Sequence, residues 1–103
     1  MRRLLLLLVV LASTSLSAQL GEIALGNYCG DDHASASRQI QKGLQALNKG
    51  DYPNAQVYIG AALRQNEADQ HALYLRGEWA MRTGKFPIAE GSWKRLVKRC
   101  PGY

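Results

Sequence analysis

Gly50-Asp51-Tyr52-Pro53-Asn54-Ala55 (GDYPNA) returns as Gly84-Lys85-Phe86-Pro87-Ile88-Ala89 (GKFPIA), with glycine, an aromatic ring, proline and alanine at the same offsets. The separation, 84 − 50, is 34 residues. Working outward, the register holds: Gly43 falls on Gly77, Ala46 on Ala80, Tyr58 on Ser92, Ile59 on Trp93 and Leu63 on Val97. A fixed period of this size is the signature of helical hairpins stacked side by side.

Apolar spacing supports that architecture. Ile40, Leu44 and Leu47 share one face of a helix over about 34–48, because residues three, four and seven apart line up at 3.6 residues per turn. Gly50 stops it, since glycine takes the left-handed conformation past a helix end without penalty. Ala55, Ile59, Ala62 and Leu63 mark a second helix over about 53–65, with Pro53 in its first turn, where a missing N–H does no harm. Leu73, Gly77, Ala80 and Met81 predict a third over about 69–83, stopped by Gly84. Ile88, Ala89, Trp93, Leu96 and Val97 predict a fourth over about 87–99, ended by Pro101. A glycine inside a helix costs about 0.5–1 kcal/mol against alanine. The recurring Gly43 and Gly77, with Ala55 and Ala89, therefore point to close helix approach, and Tyr52 and Phe86 are expected to cap the wedge between helices. Gly60 and Gly91 have no such partner in the repeat and weaken the second helix of each hairpin.

The start of the chain reads differently. Arg2 and Arg3 precede an apolar run from Leu4 to Ala12 and a small, polar stretch from Ser13 to Ala18. That order is a secretory signal peptide, and the apolar run is about half of the ~20 residues a membrane-spanning helix needs. Residues 1–18 are read as a leader, 19–33 as an N-terminal arm and 34–103 as the helical part, with no integral membrane segment after cleavage. Removing 18 residues from 103 leaves 85, one small domain. The whole chain holds 13 Lys and Arg against 8 Asp and Glu; without Arg2 and Arg3 it is 11 against 8. This balance is too mild for nucleic acid, and no basic stripe interleaved with aromatics appears. Lys94, Arg95, Lys98 and Arg99 crowd the end of the fourth helix, where cations complement the dipole.

The two cysteines, Cys29 and Cys100, sit near the two ends of the mature chain. In an exported protein an even count predicts a disulfide, within the chain by preference, with free thiols or an intermolecular pair as the alternatives. No metal or cofactor is expected: no HxxE, HxxxH or CxxC spacing exists, and the two histidines, His33 and His71, belong to different segments. Asp31 and Asp32 are read as caps of the first helix and His71 as exposed. No serine has a base beside it, and no glycine loop cradles a phosphate. The chain is not expected to be an enzyme.

The whole pattern resembles the tetratricopeptide repeat (TPR), with Gly on the first helix of each hairpin, Gly-x-aromatic at the turn and Ala on the second. The resemblance covers two units, about 36–69 and 70–103. The second unit is the better, with Gly77, Ala80, Gly84, Phe86, Ala89 and Pro101 in register. The first has Gln39 and Glu67 at departures from the pattern, and Lys42 and Arg76 hold a usually apolar position. The Sel1-like repeat fits the spacing less well. The resemblance implies an all-α fold of two antiparallel helix hairpins, whose first helices line a concave surface that takes an extended peptide. Carried over by position, that surface holds Ser37, Ile40, Leu44, Leu47 and Asn48, then His71, Tyr74, Glu78, Met81 and Arg82. Of these, Ile40, Leu44, Leu47, Tyr74, Glu78, Met81 and Arg82 are the expected partner-binding set. The Lys and Asn pairs that grip a C-terminal carboxylate in some TPR domains are missing. The competing reading makes Ile40, Leu44 and Leu47 core beneath the arm.

Two hairpins are few for a stacked array, so the face around Trp93, Leu96 and Val97 asks for a cover: the arm from Leu20 to Tyr28, a second copy, or a partner. The expected function is a non-catalytic protein–protein interaction module in the bacterial envelope, binding a protein or peptide. The alternative is a structural module that stacks end to end into a homo-oligomer through the last helix.

Overall fold

The computed structural model describes residues 21–29 and 36–103. The leader, Asp31, Asp32 and His33 lie outside the described residues. Within them the chain is all-α: α1 (Arg38–Asn48), α2 (Tyr52–Gln65), α3 (Gln70–Arg82) and α4 (Phe86–Arg99). α1 packs on α2 and α3 on α4 as two hairpins, and the hairpins join mainly through α2 against α3. None of these helices is long and apolar enough to cross a membrane.

Caps set the boundaries. The Ser37 hydroxyl accepts from the Ile40 amide at 3.2 Å, so α1 begins at Arg38, not near 34, and Ser37 takes the capping role expected of Asp31 and Asp32. Asp51 caps α2 and Asp69 caps α3 through their carboxylates. Lys85, one period after Asp51, provides α4 with no side-chain cap. Gly50 and Gly84 both have φ of 76°, the left-handed value that a glycine stop requires.

The repeated glycines admit large side chains from the facing helix. A methyl on Gly43 would stand 3.1 Å from Ile59 Cγ1, and one on Gly77 would overlap the Trp93 indole outright. Ile59 and Trp93 occupy equivalent positions, so the same knob enters the same hole in both hairpins. Ala55 and Ala89 are buried at 0% and 1% exposure. The two turn aromatics diverge. Tyr52 packs against the core, and its carbonyl accepts a hydrogen bond from Trp79 Nε1 at 3.0 Å, tying the hairpins together. Phe86 is 59% exposed and caps no wedge. The reason is position: α3 brings Trp79 over the first turn, and no described helix does so for the second.

Candidate functional site

The face of α1 and α3 expected to take a partner carries the chain's own arm. Residues 21–29 have no regular secondary structure, and side chains from the groove hold them by their backbone. Asn48 does this twice: its Oδ1 accepts from the Ile23 amide at 2.7 Å and its Nδ2 donates to the Ile23 carbonyl at 3.1 Å. One amide side chain thereby satisfies both polar groups of one arm residue. Arg82 Nη2 donates to the Gly21 carbonyl at 3.1 Å, and the Cys29 amide donates to Gln70 Oε1 at 2.8 Å. The Ile23 side chain joins the same core cluster as Ile40 and Leu47.

At its far end the arm is tied covalently. Cys29 and Cys100 form a disulfide with Cα atoms 5.4 Å apart, joining positions 71 residues apart in sequence. Around this bond lies an aromatic cluster. The Tyr28 ring sits 4.0 Å from the His71 ring, and Tyr103 packs against His71 and Tyr74 at 5.6 and 5.1 Å. His71 Nδ1 and the Tyr103 hydroxyl are 2.5 Å apart. Gly26 passes so close to the Tyr103 ring that a methyl there would stand 2.9 Å from it. His71 is buried at 5% exposure, contrary to the exposed position expected for it. The aromatic partners that cover it, Tyr28 and Tyr103, come from the two ends of the described chain. Burial lowers the His71 pKa from its ordinary 6.5, with Asp69 opposing. Burial also raises the Tyr103 hydroxyl, and it raises Tyr74, where Glu78 adds to the effect and Arg82 opposes it.

The seven residues expected to bind a partner therefore fall into three groups. Ile40 and Leu47, at 0% exposure, are core beneath the arm, and Leu44 packs against that core half-buried. Their four- and three-residue spacing is that of any buried helix face, so periodicity alone does not separate groove from core. Arg82 and Tyr74 are engaged by the arm and by Tyr103 respectively, with Glu78 half-buried beside Tyr74. Met81, at 44%, is the one apolar member still open to solvent.

A different apolar surface is open. Phe86, Trp93 and Val97 follow one another at steps of seven and four on α4 and so share a face; Phe86 and Val97 are 59% and 57% exposed. Eleven residues of helix span about 16 Å. Tyr74, Pro101 and Tyr103 extend this surface past the Val97 end, and Lys94 and Lys98 edge it. Lys94 holds Glu90 at 2.7 Å across one turn, both side chains largely exposed. Phe86 is the member that the repeat obscures, because its turn position suggests a wedge cap, although the seven- and eleven-residue spacings were there to be read. The basic run near the end of α4 splits: Lys94 and Lys98 border this face, whereas Arg95 Nη2 points away to the Glu67 carbonyl at 3.1 Å.

Among the described residues, no three His, Cys, Asp or Glu side chains are grouped as metal ligands would be. Set against protein-family models, curated proteins and solved structures, the chain matches none of them.

Proposed function

We propose that this protein is a non-catalytic, TPR-type protein–protein interaction module exported to the bacterial envelope, and that its docking face is the open strip on α4. The observation that carries this reading is the contrast between two surfaces. The concave face has its apolar residues under the chain's own arm, while Phe86 and Val97 stand more than half exposed on one helix face with Trp93 between them. Exposed apolar strips rimmed by polar residues are characteristic of interaction sites. With Lys94 paired to Glu90, Lys98 leaves this edge cationic and favours a partner helix with an apolar face and an acidic flank, by charge complementarity. The disulfide fits an oxidising compartment.

Self-assembly has less support. End-to-end stacking would set Phe86, Trp93 and Val97 against the outer face of α1, which is polar and exposed at Arg38, Gln41 and Gln45. Face-to-face pairing of two α4 strips would bring their lysine edges together. The test is capture of envelope proteins on the immobilised, oxidised chain, with sedimentation of the free protein alongside. A partner retained by the wild type and by Met81→Glu, but lost with Val97→Glu, supports the reading. Retention by Val97→Glu, or a concentration-dependent oligomer that Val97→Glu dissolves, overturns it.

A further inference from the structure

On the other side of the molecule, α2, α3 and α4 each contribute one arginine to a single open notch. Arg64, Arg76 and Arg95 line it together with Leu63 and Glu67, around a space of about 350 Å³. We propose that this notch binds an organic phosphate: a phosphate group held by the three guanidinium groups, joined to an apolar body lying in the adjoining cleft.

The electrostatics come first. Three cationic residues share the notch with one acidic residue, Glu67, and no guanidinium–carboxylate ion pair forms among them; the ion pair of the described residues is Lys94–Glu90. The Arg64 and Arg76 side chains make no hydrogen bond within the described residues, and Arg95 Nη2 is held by the Glu67 carbonyl. Guanidinium forks grip phosphate oxygens with paired, charge-assisted bonds.

The repeat shows that Arg76 is not placed there by the fold alone. Its counterpart Lys42 lies 5.5 Å over the Tyr58 ring. The residue equivalent to Tyr58 in the second hairpin is Ser92, too short to take up Arg76 in that way, and Arg76 instead lines the notch.

The apolar body follows from what adjoins it. A second cleft of about 340 Å³ shares Leu63 and Arg76 with the notch and continues over Ile59, Trp79 and Ile88. Arg76 therefore stands between a cationic end and an apolar end, the layout an amphiphilic anion requires. Lys85 closes the far end, 5.6 Å over the Trp79 ring. Lys94 and Lys98 belong to the α4 strip and serve as an internal control of equal charge type.

The test is calorimetric titration of the full, oxidised chain with octyl phosphate at low salt, with inorganic phosphate and octanoate as comparison ligands. Saturable one-to-one binding of octyl phosphate, tighter than either comparison ligand, is expected. Arg76→Gln should weaken it by at least about tenfold, as loss of a charge-assisted hydrogen bond does. Glu67→Gln should tighten it, an effect that general damage to the fold does not produce, and Lys94→Gln with Lys98→Gln should leave it unchanged. Competition by phosphatidylglycerol vesicles assigns the phosphate to a lipid headgroup; its absence assigns it to a soluble molecule. No saturable binding of octyl phosphate, octanoate binding as tightly, or equal losses in Arg76→Gln and the double-lysine control overturn the proposal.

Discussion

Gly77 and Gly91 sit on the two helices of the same hairpin and carry opposite expectations. A methyl at Gly77 overlaps the Trp93 indole, whose Nε1 is already buried without a hydrogen-bond partner among the described residues. Gly77→Ala should therefore destabilise the fold by about 1–3 kcal/mol, as overpacking does. A methyl at Gly91 meets nothing within 4 Å, so Gly91→Ala should stabilise by about 0.5–1 kcal/mol through helix propensity alone. Urea denaturation of the two variants checks both signs. The pair also shows what the repeat could convey. Gly43 and Gly77 announce a close approach by recurring, whereas Gly91 looks alike in sequence and has no packing role. His71 belongs to the same scale. Its folded pKa lies below its ordinary 6.5, so the unfolded chain binds the proton more tightly and stability falls as pH drops through that ordinary value toward the lower folded one. Melting curves between pH 7.5 and 5 should show this loss, and His71→Phe should flatten it. Nothing near position 71 reveals the burial, because its cover is supplied by Tyr28 and Tyr103.

The helices were legible, and their ends with them, save the start of α1, expected near 34 and found at Arg38. A side-chain cap explains that start: the Ser37 hydroxyl accepts from the amide three residues on, as the Asp51 and Asp69 carboxylates do at α2 and α3. α4 lacks this device at Lys85. Lys85→Asp, restoring the residue that stands at the equivalent Asp51, should stabilise α4 by about 0.5–1.5 kcal/mol, after allowing for the cation–π attraction that the Lys85 ammonium makes with the Trp79 ring. Thermal denaturation at low salt measures it. The arm is the element that sequence leaves unplaced. Its nine described residues carry no helical or alternating pattern, and the groove recognises its backbone more than its side chains. Asn48→Ala removes both Ile23 hydrogen bonds and should cost about 1–3 kcal/mol. Amide exchange should then quicken at Ile23 while the α2 and α3 core amides hold.

For the whole molecule, the disulfide and the groove act on the same segment. Closing a loop of about 70 residues contributes about 4 kcal/mol in the chain-entropy picture, a large part of the 5–15 kcal/mol that holds a typical domain. Reduction should lower the denaturation midpoint accordingly, and removing the Asn48 clamp as well should loosen the arm further. The pairing of Cys29 with Cys100 was readable from their even number, given the expectation of export. That it ties an arm over α1 and α3, filling the surface that the repeat suggests for a partner, was not, since core and groove share one periodicity. The functional account rests on this exchange of surfaces, from the concave face to the α4 strip. The most direct measurement places a benzophenone side chain, by codon expansion, at Phe86 in one protein and at Met81 in another, and irradiates each in the intact envelope. The account predicts a partner crosslink from position 86 and none from position 81; a crosslink from 81 alone would contradict it.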